Sequence, residues 1–133
     1  MKNYDLALLI LRLALGIIFI AHGMQKLFGT FGGSGVDGFS KMLMSQGFPF
    51  PEVLAWLVAL TEFLGGIGLV FGIVPRICAF GIGIVIAVAI WKVHFQSGLF
   101  SSSGGYEYQL LILASCLVIL LCGAGKFSFF DRF

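Results

Sequence analysis

Hydrophobic residues dominate four stretches of the chain, at about residues 6–28, 53–74, 77–95 and 106–124. Each stretch has the length that an α-helix needs to cross a hydrocarbon core of about 30 Å, which is about 20 residues. Arg12 interrupts the first stretch, but the eleven Leu, Ile and Phe residues between Leu6 and Met24 outweigh its insertion cost of about 3 kcal/mol. The pattern predicts four transmembrane helices.

The segments between the stretches predict how these helices are arranged. Pro75 and Arg76 form a very short turn, so the second and third spans should be antiparallel neighbours. The link between the first two spans is longer, and apolar residues recur in it at helical spacing: Val36, Phe39, Met42 and Leu43. We therefore expect an all-α fold with a single domain over residues 1–133. It is a transmembrane four-helix bundle with a short amphipathic helix in the loop between spans one and two.

Small residues spaced four apart predict close helix packing on two of the spans. Gly68 and Gly72 form such a pair on span two, and Ala79, Gly83 and Ala87 form a longer series on span three.

Composition strengthens the membrane interpretation and excludes several functions. Hydrophobic residues make up 59% of the chain and charged residues only 11%, too few to cover a water-facing surface, so the outer surface should contact the lipid bilayer. A net charge of +2 without a basic run excludes nucleic-acid binding. The cysteines show neither a CxxC pair nor zinc spacing and should behave as small apolar residues: Cys78, Cys116 and Cys122.

Lysine and arginine counts predict the orientation in the membrane. The side with the two termini carries four basic residues, Lys2, Arg76, Lys126 and Arg132, and the other side carries three, Lys26, Lys41 and Lys92. We therefore expect both termini in the cytoplasm. The phenylalanine-rich tail at 126–133 resembles an aromatic anchor at that interface.

Two charged residues, Arg12 and Glu62, lie deep within the spans and need partners. Measured from the cytoplasmic ends at ~1.5 Å per residue, Arg12 lies ~9 Å deep and Glu62 ~18 Å deep. Because a buried charge must be paired or neutralised, an Arg12–Glu62 structural ion pair between spans one and two is expected. In the alternative interpretation, the side chain of Arg12 extends to the membrane interface. Glu62 is then protonated or hydrogen-bonded and serves only the assembly of the helices.

A polar seam on span one points into the bundle. Its residues alternate at steps of three and four: Arg12, Leu15, Phe19, His22 and Lys26. The depth estimate places His22, His94 and Gln109 at nearly one level, about 24 Å from the cytoplasmic side. We therefore expect an outward-facing polar cup that binds a ligand through His22, Lys26, Glu62, Trp91, His94, Glu107 and Gln109. Glu62 and His22 are the candidates for a catalytic role.

Plainer interpretations exist for several of these residues. Trp91 could be an interface anchor, and Lys26 and Glu107 could be solvated span ends. Two histidines at equal depth suit a bis-His haem, but they are common near span ends, so we do not expect haem. We expect no metal, since no further cluster of ligands supports one, and the motifs GxSxG, Walker A and HExxH are absent from the sequence.

The stretch Arg12–Leu27 resembles the opening signature of the DoxX family. That signature is an Arg, a Gly four residues later, and F-x-x-H-G-x-x-K-L/F, here Arg12, Gly16, Phe19, His22, Gly23, Lys26 and Leu27. The second span is similar too, with a Glu followed by glycines: Glu62, Gly65, Gly66 and Gly68.

The resemblance implies a bacterial or archaeal inner-membrane protein with four spans. The family name derives from subunits linked to quinol oxidase and thiosulfate:quinone oxidoreductase systems. Other members are associated with oxidative-stress or thiol-redox complexes and with catechol or quinone detoxification.

Three functions remain open at this point. The first is a redox-associated subunit that binds a quinone or similar small molecule in the cup, with a redox partner protein or a cofactor that supplies or takes electrons. The second is a structural or assembly subunit of a membrane oxidoreductase complex, and the third is a small-molecule transporter. An enzyme of this kind would be part of a quinone-linked oxidoreductase, and the sequence leaves both catalysis and oligomerisation open.

Overall fold

The computed structural model describes residues 3–131, and most of these residues are helical. The α-helices are α1 Asn3–Phe28, α2 Gly35–Ser45, α3 Pro51–Phe71, α4 Pro75–Ala89 and α5 Glu107–Cys122. A π-helical turn, Ile90–His94, and a 3₁₀ turn, Phe95–Ser97, continue α4, and a further 3₁₀ turn lies at Ser101–Ser103. No strand occurs among the described residues, so the expectation of an all-α fold is confirmed.

Three helical segments of residues 3–131 are long and apolar enough to cross a membrane: Asn3–Phe28, Pro51–Phe71 and Pro75–Ser97. The fourth apolar helix, α5, has 16 residues. Pro51 and Pro75 begin their helices, where a missing backbone N–H costs nothing. Gly72 ends α3 in the left-handed conformation, so the chain reverses directly into α4. The chain is therefore a membrane protein whose second and third apolar helices pack as antiparallel neighbours.

Helices α1 and α3 approach each other closely because glycines lie between them. A Cβ atom on Gly16 would lie 2.7 Å from the carbonyl oxygen of Gly66, and one on Gly23 would lie 2.6 Å from the Cα of Phe63. Gly68 lies against the thiol of Cys78 on α4, as expected for a packing glycine. Gly72 ends α3 and also allows a close approach, because a Cβ atom on it would meet Arg12 of α1 and lie 2.8 Å from the Cα of Ser128.

The core joins all four apolar helices. Leu15 and Phe19 of α1 pack with Leu69 of α3, Ile82 of α4 and Ile119 of α5. Arg12 is buried on the same face of α1, as the seam predicts. Helix α2 covers one side of the bundle, and its Phe39 and Leu43 pack against Ala55 of α3. Large apolar side chains on the outer faces are exposed and contact lipid.

The tail after α5 folds across the end of the bundle that holds the start of α1. Residues 129 and 130 donate backbone hydrogen bonds to Phe71 and Gly72, at 3.2 and 3.0 Å. The carboxylate of Asp5 accepts a hydrogen bond from the backbone N–H of Lys126 at 3.0 Å. The expected anchor therefore also closes one end of the bundle. Lys2, Arg132 and Phe133, which entered the orientation and anchor predictions, lie outside the described residues.

Asp131 holds this tail through two contacts, and its removal should loosen the tail. Its Oδ2 accepts a hydrogen bond from the N–H of Ala124 at 2.9 Å, and its Oδ1 lies 3.6 Å from Nη1 of Arg76. We expect Asp131→Ala to lower the free energy of unfolding by about 1 kcal/mol and to speed trypsin cleavage of the Lys126–Phe127 bond.

The exposed Asp37 of α2 provides the control for this prediction. Asp37→Ala should leave the cleavage rate after Lys126 unchanged, since Asp37 is far along the chain from the tail and on the covering helix. Equal cleavage rates in the Asp131→Ala variant and the unmodified protein would contradict the role given to Asp131.

Candidate functional site

A cavity of about 730 Å³ lies in the half of the bundle that is opposite the tail. All five α-helices contribute to its walls, which are mostly apolar, and we call it the polar cavity for the few polar groups among them. Five of the seven expected ligand-binding residues line it: His22, Lys26, Glu62, His94 and Gln109. Such a cavity has the usual size of a small-molecule site.

Lys26 and Glu62 form an ion pair at the base of this cavity. Nζ of Lys26 lies 2.8 Å from Oε2 of Glu62, and the two side chains are 18% and 5% exposed. The ammonium group also lies 5.1 Å from the ring centroid of Phe39 on α2. Lys26 of α1 therefore balances the charge of Glu62, and Phe39 of α2 packs against the ammonium group of this ion pair.

The expected Arg12–Glu62 ion pair is wrong, because Glu62 pairs with Lys26. Arg12 donates instead from Nη2 to the carbonyl oxygen of Phe127 in the tail, at 2.6 Å. The reason is the direction of side chains on a helix, which lean toward its N-terminus. On α1 this lean carries Lys26 toward the middle of the bundle and Arg12 away from it.

His22 presents one ring nitrogen as a hydrogen-bond acceptor. Its Nδ1 lies 2.8 Å from the carbonyl oxygen of Ile18, one turn earlier, so Nδ1 carries the proton and donates it. The neutral ring then keeps an unprotonated Nε2. The ring lies beside Phe19, with centroids 6.0 Å apart, which fixes its position in the wall of the cavity.

His94 and Gln109 present a second acceptor. Nδ1 of His94 donates to the carbonyl oxygen of Gly104 at 2.9 Å, and Nε2 of Gln109 donates to Nε2 of His94 at 3.3 Å. Both nitrogens of His94 are thus used, and the ring has none free for a haem iron. The Oε1 atom of Gln109 is buried and has no partner among the described residues, so it is an acceptor that a ligand can fill.

Trp91 and Glu107 do not line the polar cavity. Trp91 is 69% exposed, with the ammonium of Lys92 4.4 Å from its ring centroid. Glu107 accepts hydrogen bonds from the backbone N–H and the hydroxyl of Ser101, at 3.0 and 2.6 Å, and so orders the loop before α5. The π-helical turn at Ile90–His94 shifts the register of α4, and regular helical spacing does not reveal such a turn.

Several residues of the cavity were not expected from the sequence. Gln25 of α1 and Tyr108 of α5 line it, as do Phe39, Met42 and Leu43 of α2. The amphipathic pattern of α2 signalled that its apolar face would be covered, but not that this face would close a cavity. Within residues 3–131, no group of three His, Cys, Asp or Glu residues is placed to hold a metal ion.

The amino-acid sequence of the chain is similar to a known protein family and to several known proteins. The sequence model of the DoxX family matches residues 7–95. An uncharacterized protein of Haemophilus influenzae is 32% identical over 92% of this chain and 80% of its own length. The putative oxidoreductase CatD of Bacillus subtilis is 28% identical over 99% and 90%, and the inner membrane protein YqjF of Escherichia coli is 29% identical over 96% and 92%. No solved structure matches the chain.

Proposed function

This chain belongs to the DoxX family of membrane proteins, and we propose that it is a redox-associated subunit that binds a quinone-type molecule in the polar cavity. We further propose that the bound form is the quinol, which carries two hydroxyl groups. The name of the relative CatD, a putative oxidoreductase, supports a redox association. The observation that carries the proposal is the pair of unfilled acceptors, Nε2 of His22 and Oε1 of Gln109, in a cavity whose walls are mostly apolar.

The proposed membrane arrangement has four crossings, with both termini in the cytoplasm. The 16 residues of α5 span about 24 Å, and the residues flanking the helix extend its apolar length. The polar cavity then faces the outer side, and α2 lies at that surface with its apolar face toward the bundle. The name of the relative YqjF, an inner membrane protein, supports the bacterial or archaeal inner membrane as the location.

Hydrogen-bond direction favours the quinol over the quinone. Nε2 of His22 and Oε1 of Gln109 both accept, and a quinol donates from two hydroxyl groups whereas a quinone can only accept. A quinone would leave both acceptors unsatisfied. For the buried one, Oε1 of Gln109, the lack of a donor costs about 1–3 kcal/mol. The apolar walls suit an aromatic ring and its substituents.

Oxidation of the bound quinol to the quinone would release two electrons and two protons. His22 and Glu62 are the candidate proton acceptors, and Lys26 forms an ion pair with Glu62. The two electrons would pass to an electron-accepting partner protein. The role of this chain in that reaction is to bind and orient the quinol and to take up protons.

Binding of decylubiquinol and decylubiquinone to the purified protein tests the proposal. We expect the quinol to bind about a hundredfold more tightly, the effect of two hydrogen bonds of about 1.4 kcal/mol each. His22→Phe and Gln109→Leu should each lower this preference about tenfold, because each deletes one of the two acceptors. The measurement is isothermal titration calorimetry in detergent under anaerobic conditions.

Trp91→Phe is the matched control, since Trp91 belongs to the same helical segment as His94 but lies outside the cavity. It should retain the preference for the quinol. If neither compound binds while one partner protein copurifies stoichiometrically, the quinol proposal fails and the assembly role takes its place. Equal binding of both compounds by every variant would contradict the hydrogen-bond argument.

A further inference from the structure

A second cavity, of about 380 Å³, lies at the opposite end of the bundle. We call it the tail cavity, and it is lined by α1, the end of α3 and residues 126–129 of the tail. Arg12 and Lys126 line it together with apolar side chains such as Leu9 and Val70. It shares no lining residue with the polar cavity, so the proposed quinol site does not account for it.

Arg12 is fully buried beside this cavity and is incompletely bonded. Its residue exposure is 0%, and its hydrogen bond to Phe127 uses only Nη2. Neither Nε nor Nη1 has a partner in the described part of the chain. A guanidinium group has five N–H donors and keeps its positive charge in proteins, so a buried one requires acceptors and an opposite charge.

The nearby carboxylates of residues 3–131 are already engaged elsewhere. Asp5 accepts from the N–H of Lys126, and Asp131 accepts from Ala124 and pairs with Arg76. Neither forms an ion pair with Arg12. Asp131 attracts Arg12 electrostatically but forms no ion pair with it, so no carboxylate of the described residues bonds the guanidinium. A second cation, Lys126, lines the same cavity.

We propose that the tail cavity binds a phosphate group. Its oxygens would accept hydrogen bonds from Nε and Nη1 of Arg12, and Lys126 would share its charge. The planar, forked guanidinium matches phosphate oxygens in both geometry and charge, which is why arginine recurs at phosphate sites. Such a ligand supplies what the chain does not, an anionic acceptor at a buried cation.

Two sources can supply the phosphate, and the rim of the cavity favours one of them. The exposed rings of Phe71 and Phe129 contact each other there, with centroids 6.1 Å apart. An apolar rim at the level where a transmembrane helix ends suits the glycerol and acyl chains of a phospholipid, whose headgroup would enter the cavity. Free inorganic phosphate provides the same acceptor oxygens without those contacts.

The thermal unfolding midpoint of the full-length protein in a neutral detergent distinguishes these sources. The probes are dihexanoyl phosphatidylglycerol, below its micellar concentration, and inorganic phosphate, at equal ionic strength. We expect the lipid to raise the midpoint by about 5 °C near saturation. A rise with the lipid alone identifies a headgroup site, and a rise with both probes identifies a general phosphate site. No rise with either probe would overturn the proposal.

Three variants connect this shift to the tail cavity. Arg12→Gln should abolish the shift in the unfolding midpoint, and Lys126→Gln should weaken phosphate binding about tenfold. Leu9→Trp keeps both cations but should block the cavity, so it should also abolish the shift. Lys92→Gln, which removes an exposed lysine at the other end of the bundle, is the matched control and should behave like the unmodified protein. If Arg12→Gln does not fold, the other two variants still decide the matter. An unchanged shift in both of them would refute the proposed site.

Discussion

Gly66→Ala is expected to destabilise the bundle by about 3 kcal/mol or to prevent its folding. A Cβ atom at this position would lie 2.7 Å from the backbone nitrogen of Ile20 and 2.8 Å from the carbonyl oxygen of Gly16. Both are backbone atoms of α1, so no side chain can rotate away, and α1 and α3 must separate. The measurement is unfolding in mixed micelles with increasing sodium dodecyl sulfate, followed by far-UV circular dichroism.

Gly83→Ala on α4 is the matched control for this substitution. A Cβ atom there would meet Cys116 at 3.7 Å and Leu113 at 3.9 Å, which are ordinary contact distances. Alanine is favoured over glycine in a helix by about 0.5–1 kcal/mol, so this variant should be as stable as the unmodified protein or slightly more so. Equal destabilisation by both substitutions would show that the close approach of α1 and α3 is not what makes Gly66 necessary.

The second large effect is expected from Lys26→Met, at about 3 kcal/mol of destabilisation. The substitution removes the partner of Glu62, whose side chain is only 5% exposed, and leaves an unpaired carboxylate inside the bundle. Deleting both charges together, in Lys26→Met/Glu62→Leu, should recover most of the stability because no buried charge remains. Unfolding in the same mixed micelles measures both variants.

A double-mutant cycle identifies the true partner of Glu62. We expect a coupling energy above about 1 kcal/mol between Lys26 and Glu62, and one near zero between Arg12 and Glu62. The reverse result would restore the ion pair that the depth estimate predicted. It would also remove the reason for regarding Arg12 as a cation in need of an external anion.

Helical periodicity predicted the inward face of α1 well. Arg12, Leu15 and Phe19 are all buried, because alternating steps of three and four keep side chains on one side of a helix whatever they contact. Depth along the helices likewise placed His22, His94 and Gln109 at one level, and all three line the polar cavity. These features depend only on the rise and the turn of a regular helix, which a sequence shows directly.

Features that depend on irregular backbone or on side-chain direction could not be predicted from the sequence. Trp91 and His94 lie three residues apart in the π-helical turn, yet only His94 lines the cavity and Trp91 faces outward. Because side chains on α1 lean toward the start of the helix, Lys26 rather than Arg12 forms the ion pair with Glu62. The folding of the tail over Arg12 depends on backbone pairing between residues far apart in the chain, such as Phe130 and Gly72, which leaves no periodic signal.

An experimental structure of the protein with bound decylubiquinol would show directly whether the quinol occupies the polar cavity. The quinol ring is expected to occupy the polar cavity, with one hydroxyl group within hydrogen-bond distance of Nε2 of His22 and the other within that distance of Oε1 of Gln109. A quinol bound only on the lipid-facing surface, with the polar cavity empty or filled by water alone, would contradict this expectation.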